Sequence, residues 1–60
     1  MHKLKESRKK KSLTQNELAK QVGVGQQMIS YWENDVQGMP VRHAKKIAQI
    51  LNVKWWELYD

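Results

Sequence analysis

Cysteine and phenylalanine are absent from these 60 residues, proline occurs once and glycine three times. Without cysteine no disulfide braces the fold, so stability has to come from a helical apolar core, and the expected setting is a reducing compartment such as the cytoplasm. Long apolar runs are also lacking. The N-terminus carries charge where a signal peptide would carry a hydrophobic stretch, so the chain reads as soluble, with no membrane partner. A chain this short forms one domain at most, spanning residues 1–60, and buries only about 60% of the surface it exposes when unfolded.

Catalytic and metal-binding patterns are missing in the same way. His2 and His43 are far apart and neither has a second ligand at helical spacing, so no metal is expected. Glu6, Glu17, Glu33, Asp35, Glu57 and Asp60 are scattered among basic residues. No Ser-His-Asp arrangement or glycine-rich phosphate loop is visible, and a bundle of this size has little room for an ordinary ligand pocket. The expectation is a protein that is not an enzyme, with no cofactor and no small-molecule ligand.

What is present is positive charge and helical periodicity. Lys and Arg number 11 against 6 acidic residues, for a formal net charge of +5. Residues 1–25 hold seven basic and two acidic side chains, whereas residues 26–60 hold four of each. A one-sided basic field suits a polyanion, because neutralising phosphates releases counterions. Lys9, Lys10 and Lys11 are equally compatible with a solvated helix end.

Five short helices are expected, at about 2–11, 15–22, 26–34, 41–51 and 54–59, in an all-α bundle. The first rests on good helix formers with Leu4 as its main anchor. Thr14-Gln15-Asn16-Glu17 has the form of a capping box, which starts the second helix, and Gly23 can supply its stop. Ala44, Ile47, Ala48 and Leu51 line one face of the fourth helix, with Pro40 at its start and Asn52 at its end. In the last segment Trp55, Leu58 and Tyr59 share a side and Trp56 points away from them.

The third helix has two unlike faces. Ile29 and Trp32 point one way, Trp32 into the core, while Gln26, Gln27, Ser30, Tyr31 and Asn34 form an outer face of uncharged hydrogen-bonding groups. Two helices joined across Gly23-Val24-Gly25 fit a helix-turn-helix, in which the second helix protrudes far enough to enter a major groove about 12 Å wide. Glutamine can exchange two hydrogen bonds with the N6 and N7 edge of adenine, so Gln26 and Gln27 are candidate base readers. Ser30 and Tyr31, a turn further on, can reach the next bases or a phosphate.

As a set, Leu13-Thr14-Gln15, Glu17-Leu18-Ala19, Gly23-Val24, Ile29-Ser30, Trp32-Glu33-Asn34, Pro40, Ile47-Ala48 and Leu51-Asn52-Val53 resemble the lambdoid repressor and Cro type of helix-turn-helix regulators, over about Leu4 to Leu58. The resemblance implies a lambda repressor-like DNA-binding domain. It implies a phosphate contact at Gln15, which would also buttress Gln26, and base contacts at Gln27 and Tyr31. Further phosphate contacts are implied at Asn34 and at the start of the fourth helix near Val41 and Arg42. It also implies an ion pair between Arg8 and Glu33, two residues that could otherwise be independent surface charges. Two departures stand out: Asp35 where the family often has glycine, and Gly25 where a Ser or Thr often caps the recognition helix.

The family commonly dimerises through its C-terminal region, which makes Trp56 and Tyr59 candidate dimer contacts. The other reading of Trp56 is a ring lying over Lys54 or the fourth helix. The expected function is sequence-specific binding of double-stranded operator DNA as a homodimer, with repression as the expected outcome. The alternative is a protein-interaction module of antitoxin or anti-regulator type that uses the same polar face and Trp56.

Overall fold

In the computed structural model, which describes residues 1–60, four α-helices are followed by a single 3-10 turn. They are α1 (His2–Lys10), α2 (Gln15–Val22), α3 (Gln26–Glu33) and α4 (Val41–Leu51), and the terminal 3-10 helix covers Trp55–Leu58. The expected fifth α-helix is therefore corrected. The Glu57 N–H donates to the Lys54 carbonyl at 3.0 Å, an i to i+3 bond, and so short a segment never accumulates the i to i+4 ladder of an α-helix.

Local chemistry sets the boundaries. Thr14 and Glu17 form the reciprocal capping box: the Glu17 N–H donates to Thr14 Oγ1 at 3.0 Å, and the Thr14 N–H donates to Glu17 Oε1 at 2.8 Å. Gly23 stops α2 in the left-handed region at φ 89°, where a side chain would be strained. Asn52 ends α4 in the same region at φ 59°. Helices α1 and α3 each end one residue earlier than expected, because Lys11 and Asn34 leave the helical backbone and Ser12 and Asp35 then turn left-handed.

Every helix contributes to one core. Leu4, Leu18, Ile29, Ile47 and Leu58 are fully enclosed, and Trp32 is the largest side chain among them. Ala19, Ala44 and Ala48 let the helix axes approach. Val22, Leu51, Met1 and Met39, the last from the loop before α4, complete the cluster. The terminal 3-10 helix packs chiefly on α4 and also on α1, and is latched by Tyr59, whose hydroxyl donates to the Met39 carbonyl at 2.7 Å. Helices α2 and α3 share their main contact across Gly23-Val24-Gly25, so α3 stands on a rigid base with one face outward.

Candidate nucleic-acid interface

Helix α3 divides as its sequence demands. Ile29 is 0% exposed and Trp32 2%, while Gln26, Gln27 and Asn34 are exposed and Ser30 and Tyr31 are half-buried. Two ties run lengthwise along the outer face. Gln27 Nε2 donates to the Tyr31 hydroxyl at 2.6 Å. Asn34 Nδ2 donates to the Ser30 carbonyl at 2.9 Å and to Ser30 Oγ at 3.3 Å. Both pairs have the i, i+4 spacing that stacks side chains on one helical face. The result is a strip of amides and hydroxyls with no charge of its own, suited to donor and acceptor patterns on base edges.

Beneath the end of this strip lies a buried charged network. Arg8 and Glu33 are each only 7% exposed. Arg8 Nε donates to Glu33 Oε2 at 2.6 Å, its Nη2 to Glu33 Oε1 at 3.2 Å, and its Nη1 to the Leu13 carbonyl at 2.8 Å. This forked geometry ties α1 to the last residue of α3. Gln15, the first residue of α2, joins the same carboxylate, donating from Nε2 to Glu33 Oε1 at 3.0 Å. Gln15 is thus buttressed by Glu33, and no hydrogen bond links it to Gln26. Its carbonyl oxygen and second amide proton remain unbonded within the chain.

Backbone donors flank the strip. The N–H groups of Gln15 and Asn16 in α2, of Gln26 and Gln27 in α3, and of Val41 and Arg42 in α4 have no partner within the chain, as the first turn of a helix requires. Such groups favour anions, and α4 presents them beside the exposed Arg42, with Val41 45% exposed. Arg42 borders a shallow groove with Met28 of α3 and Gln37 of the connecting loop. This sets a cation on the α3 side of the molecule. His43, next in sequence, packs its ring 5.2 Å from that of Trp32. Gln37 carried no sequence signal, because a loop position has no periodicity to read. Asp35 takes φ 58° and accepts from the Met1 amine at 2.8 Å. Gly25 begins α3 with no side-chain cap.

Charge follows a similar division. The lysines of α1 and Lys11 are all exposed, and Glu6 engages His2 at 3.4 Å and Lys10 at 3.7 Å, leaving the ammonium groups of Lys3, Lys5, Lys9 and Lys11 without a carboxylate partner. Hydrogen bonds from the backbone and hydroxyl of Thr14 lower the pKa of Glu17, so the capping carboxylate keeps its charge into acid.

At the C-terminal end the two dimer candidates differ. Trp56 is 57% exposed, with Lys54 Nζ 5.5 Å from its ring centre and Trp55 edge-on at 5.8 Å. Tyr59 is 39% exposed, but its hydroxyl is committed to Met39, and burial raises its pKa. No helix is long and apolar enough to cross a membrane.

Comparisons with known proteins agree with this geometry. The sequence profile of the helix-turn-helix family matches residues 4–55. An uncharacterized HTH-type transcriptional regulator of Archaeoglobus fulgidus is 38% identical over 56 residues, which covers 93% of this chain and 79% of that protein. Among solved structures, SinR, the master regulator for biofilm formation, in complex with DNA superposes with a TM-score of 0.87 at 30% identity, covering 98% of this chain and 95% of the other. A chain of the SinR/SinI complex gives a TM-score of 0.86 at 30% identity, covering 98% of this chain and 58% of that one.

Proposed function

This chain belongs to the helix-turn-helix family of DNA-binding transcriptional regulators, and from that premise we propose that it reads operator DNA by laying the outer face of α3 in the major groove. The observation that carries the reading is the composition of that face: Gln26, Gln27, Ser30 and Tyr31 point away from the core on the very helix whose inner face, through Ile29 and Trp32, anchors it. In this reading Gln26 and Gln27 meet base edges first, and Ser30 and Tyr31 reach the next bases or a phosphate. Gln15, Asn34 and the α4 start at Val41 and Arg42 grip the phosphates on either side.

Division of labour follows from the chemistry. The phosphate contacts set register and most of the affinity, which falls with salt; the amides and hydroxyls set sequence. The domain acts by binding and not by catalysis. A homodimer would place two α3 helices about 34 Å apart in successive grooves, and the protruding Trp56 is the side chain best placed for the protein contact. Occupancy of a promoter by such a dimer excludes RNA polymerase, which makes repression the natural outcome in the cytoplasm.

The test is selection of duplexes from a random DNA library at moderate salt by the wild type and by the Gln26→Ala, Gln27→Ala double variant. A two-fold symmetric motif that the variant loses supports the reading. No enriched motif for the wild type refutes it.

A further inference from the structure

Two side chains of the strip on α3 are joined to each other before any DNA arrives. Gln27 Nε2 and the Tyr31 hydroxyl are 2.6 Å apart, and neither group has another hydrogen bond within the chain. From this bond we infer that Gln27 and Tyr31 act as one composite reading head, in which Tyr31 is the positioning residue that fixes the orientation of the Gln27 amide. The inference rests on the reading of α3 as the base-contacting helix, and specifies how that helix discriminates.

The chemistry is in the donor and acceptor count. A primary amide has two N–H donors and one carbonyl acceptor, and a phenol has one donor and an oxygen that accepts. One Gln27 proton is spent on the Tyr31 oxygen, leaving the other N–H and Oε1, the pair that adenine requires: N–H to N7, and Oε1 accepting from N6. The bond also narrows an ambiguity. A free glutamine amide on an exposed helix can turn over and present its oxygen and nitrogen in either order. With Nε2 held toward Tyr31 and the Tyr31 proton drawn outward to a base acceptor, the flipped order loses its bond to Tyr31, and less side-chain freedom is lost on binding.

Tyr31 in turn keeps its own proton. Because its oxygen accepts from Gln27, its O–H is free to donate outward to an acceptor next to the adenine, such as thymine O4 or guanine N7 and O6. The head therefore presents acceptor, donor, donor along one helical turn, which fits an adenine followed by an acceptor-bearing base. Gln26 has no such tie, so Gln27 is expected to be the more selective of the two consecutive glutamines.

Tyr31→Phe isolates the effect, since it keeps the half-buried ring and removes only the exposed hydroxyl. Equilibrium binding of the wild type, Tyr31→Phe and Gln27→Ala is measured on a duplex selected by the wild type from a random library, and on copies with one base pair changed. The position read by Gln27 is the one whose preference Gln27→Ala abolishes. Tyr31→Phe should lower the preference for adenine there by about 2- to 10-fold, the worth of one ordinary hydrogen bond. Replacing that adenine with 7-deazaadenine, which lacks the N7 acceptor, should cost the wild type more affinity than it costs Tyr31→Phe.

A Tyr31 hydroxyl that contacts only a phosphate would instead weaken binding to all duplexes alike when it is removed. That result, or full retention of discrimination by Tyr31→Phe at a position that Gln27→Ala erases, overturns the inference and leaves the role of α3 intact. A wild type that selects no motif, or a Gln27→Ala variant with an unchanged motif, overturns base reading by Gln27 and the composite head with it.

Discussion

Replacing Arg8 with methionine should destabilise this domain more than any change on its outer surface. The methionine keeps most of the volume and length of the stem but leaves the Glu33 carboxylate, its side chain 1% exposed, with Gln15 as its remaining side-chain partner at 3.0 Å. Breaking a buried pair from one side costs about 3–5 kcal/mol, whereas an exposed pair is worth about 1 kcal/mol or less. A chain of this length has a total stability of about 3–9 kcal/mol at the usual value per residue, so a loss of this size removes a third or more of it and unfolds the variant at the lower end of that range. Urea unfolding followed by tryptophan fluorescence and by circular dichroism gives the stability. The double variant Arg8→Met, Glu33→Leu supplies the control, because replacing both charges with apolar groups removes the stranded carboxylate and should restore most of the loss. A cost below about 1 kcal/mol for Arg8→Met, the value for a surface pair, would refute the argument. So would a double variant no more stable than the single one.

Three further outcomes are expected. The Glu17 pKa is lowered by its bonds to Thr14, so the capping box contributes stability above the ordinary glutamate value of 4.5 and loses it as the pH falls through the lower value of the folded state; thermal melts in acid should show this component vanish in Glu17→Gln. Tyr59 titrates the other way: its raised pKa means that the stability it contributes is present below the ordinary 10.0 and is lost as the pH rises through the folded-state value. Tyr59→Phe should therefore cost about 0.5–1.5 kcal/mol at neutral pH, from loss of the bond to Met39, and should remove this alkaline component in melts near and above pH 10. Arg42→Ala should weaken binding to matched and unmatched duplexes alike and reduce the slope of log affinity against log salt by about one, measured by titration at several salt concentrations; a loss confined to one sequence would contradict its assignment to phosphate.

The parts of the fold legible in the sequence are those where a local rule acts alone. Thr14 and Glu17 announce the start of α2, Gly23 and Asn52 announce two stops, and the apolar stripe from Ala44 to Leu51 identifies α4 and its buried face. Periodicity also separates the two faces of α3 and identifies Gln26, Gln27, Ser30 and Tyr31 as its outer residues. Length defeated the same method at Trp55–Leu58, since four residues cannot distinguish 3.6 residues per turn from three. Tertiary contacts from loops were hidden for another reason. Met39 is buried and receives the Tyr59 hydroxyl on its carbonyl, yet nothing around it repeats. Likewise, the choice of Glu33 and not Gln26 as the partner of Gln15 depends on where the end of α3 meets the start of α2, a relation between helices and not within one.

The two ties on α3 have a consequence for how such a regulator changes its target over generations. The outward residues do not belong to the core, so substitutions among them leave a folded protein, and new specificities can be sampled without first acquiring extra stability. Yet Gln27 is bonded to Tyr31 and Asn34 to Ser30, so the effect of a change at one position depends on its partner a turn away. Under the proposed role of α3, specificity should therefore drift in coupled pairs, with a first substitution that loosens selectivity and a second, four residues along, that sets a new one. Variant libraries randomised one site at a time would miss those combinations, whereas libraries that vary positions 27 and 31 together would reach them.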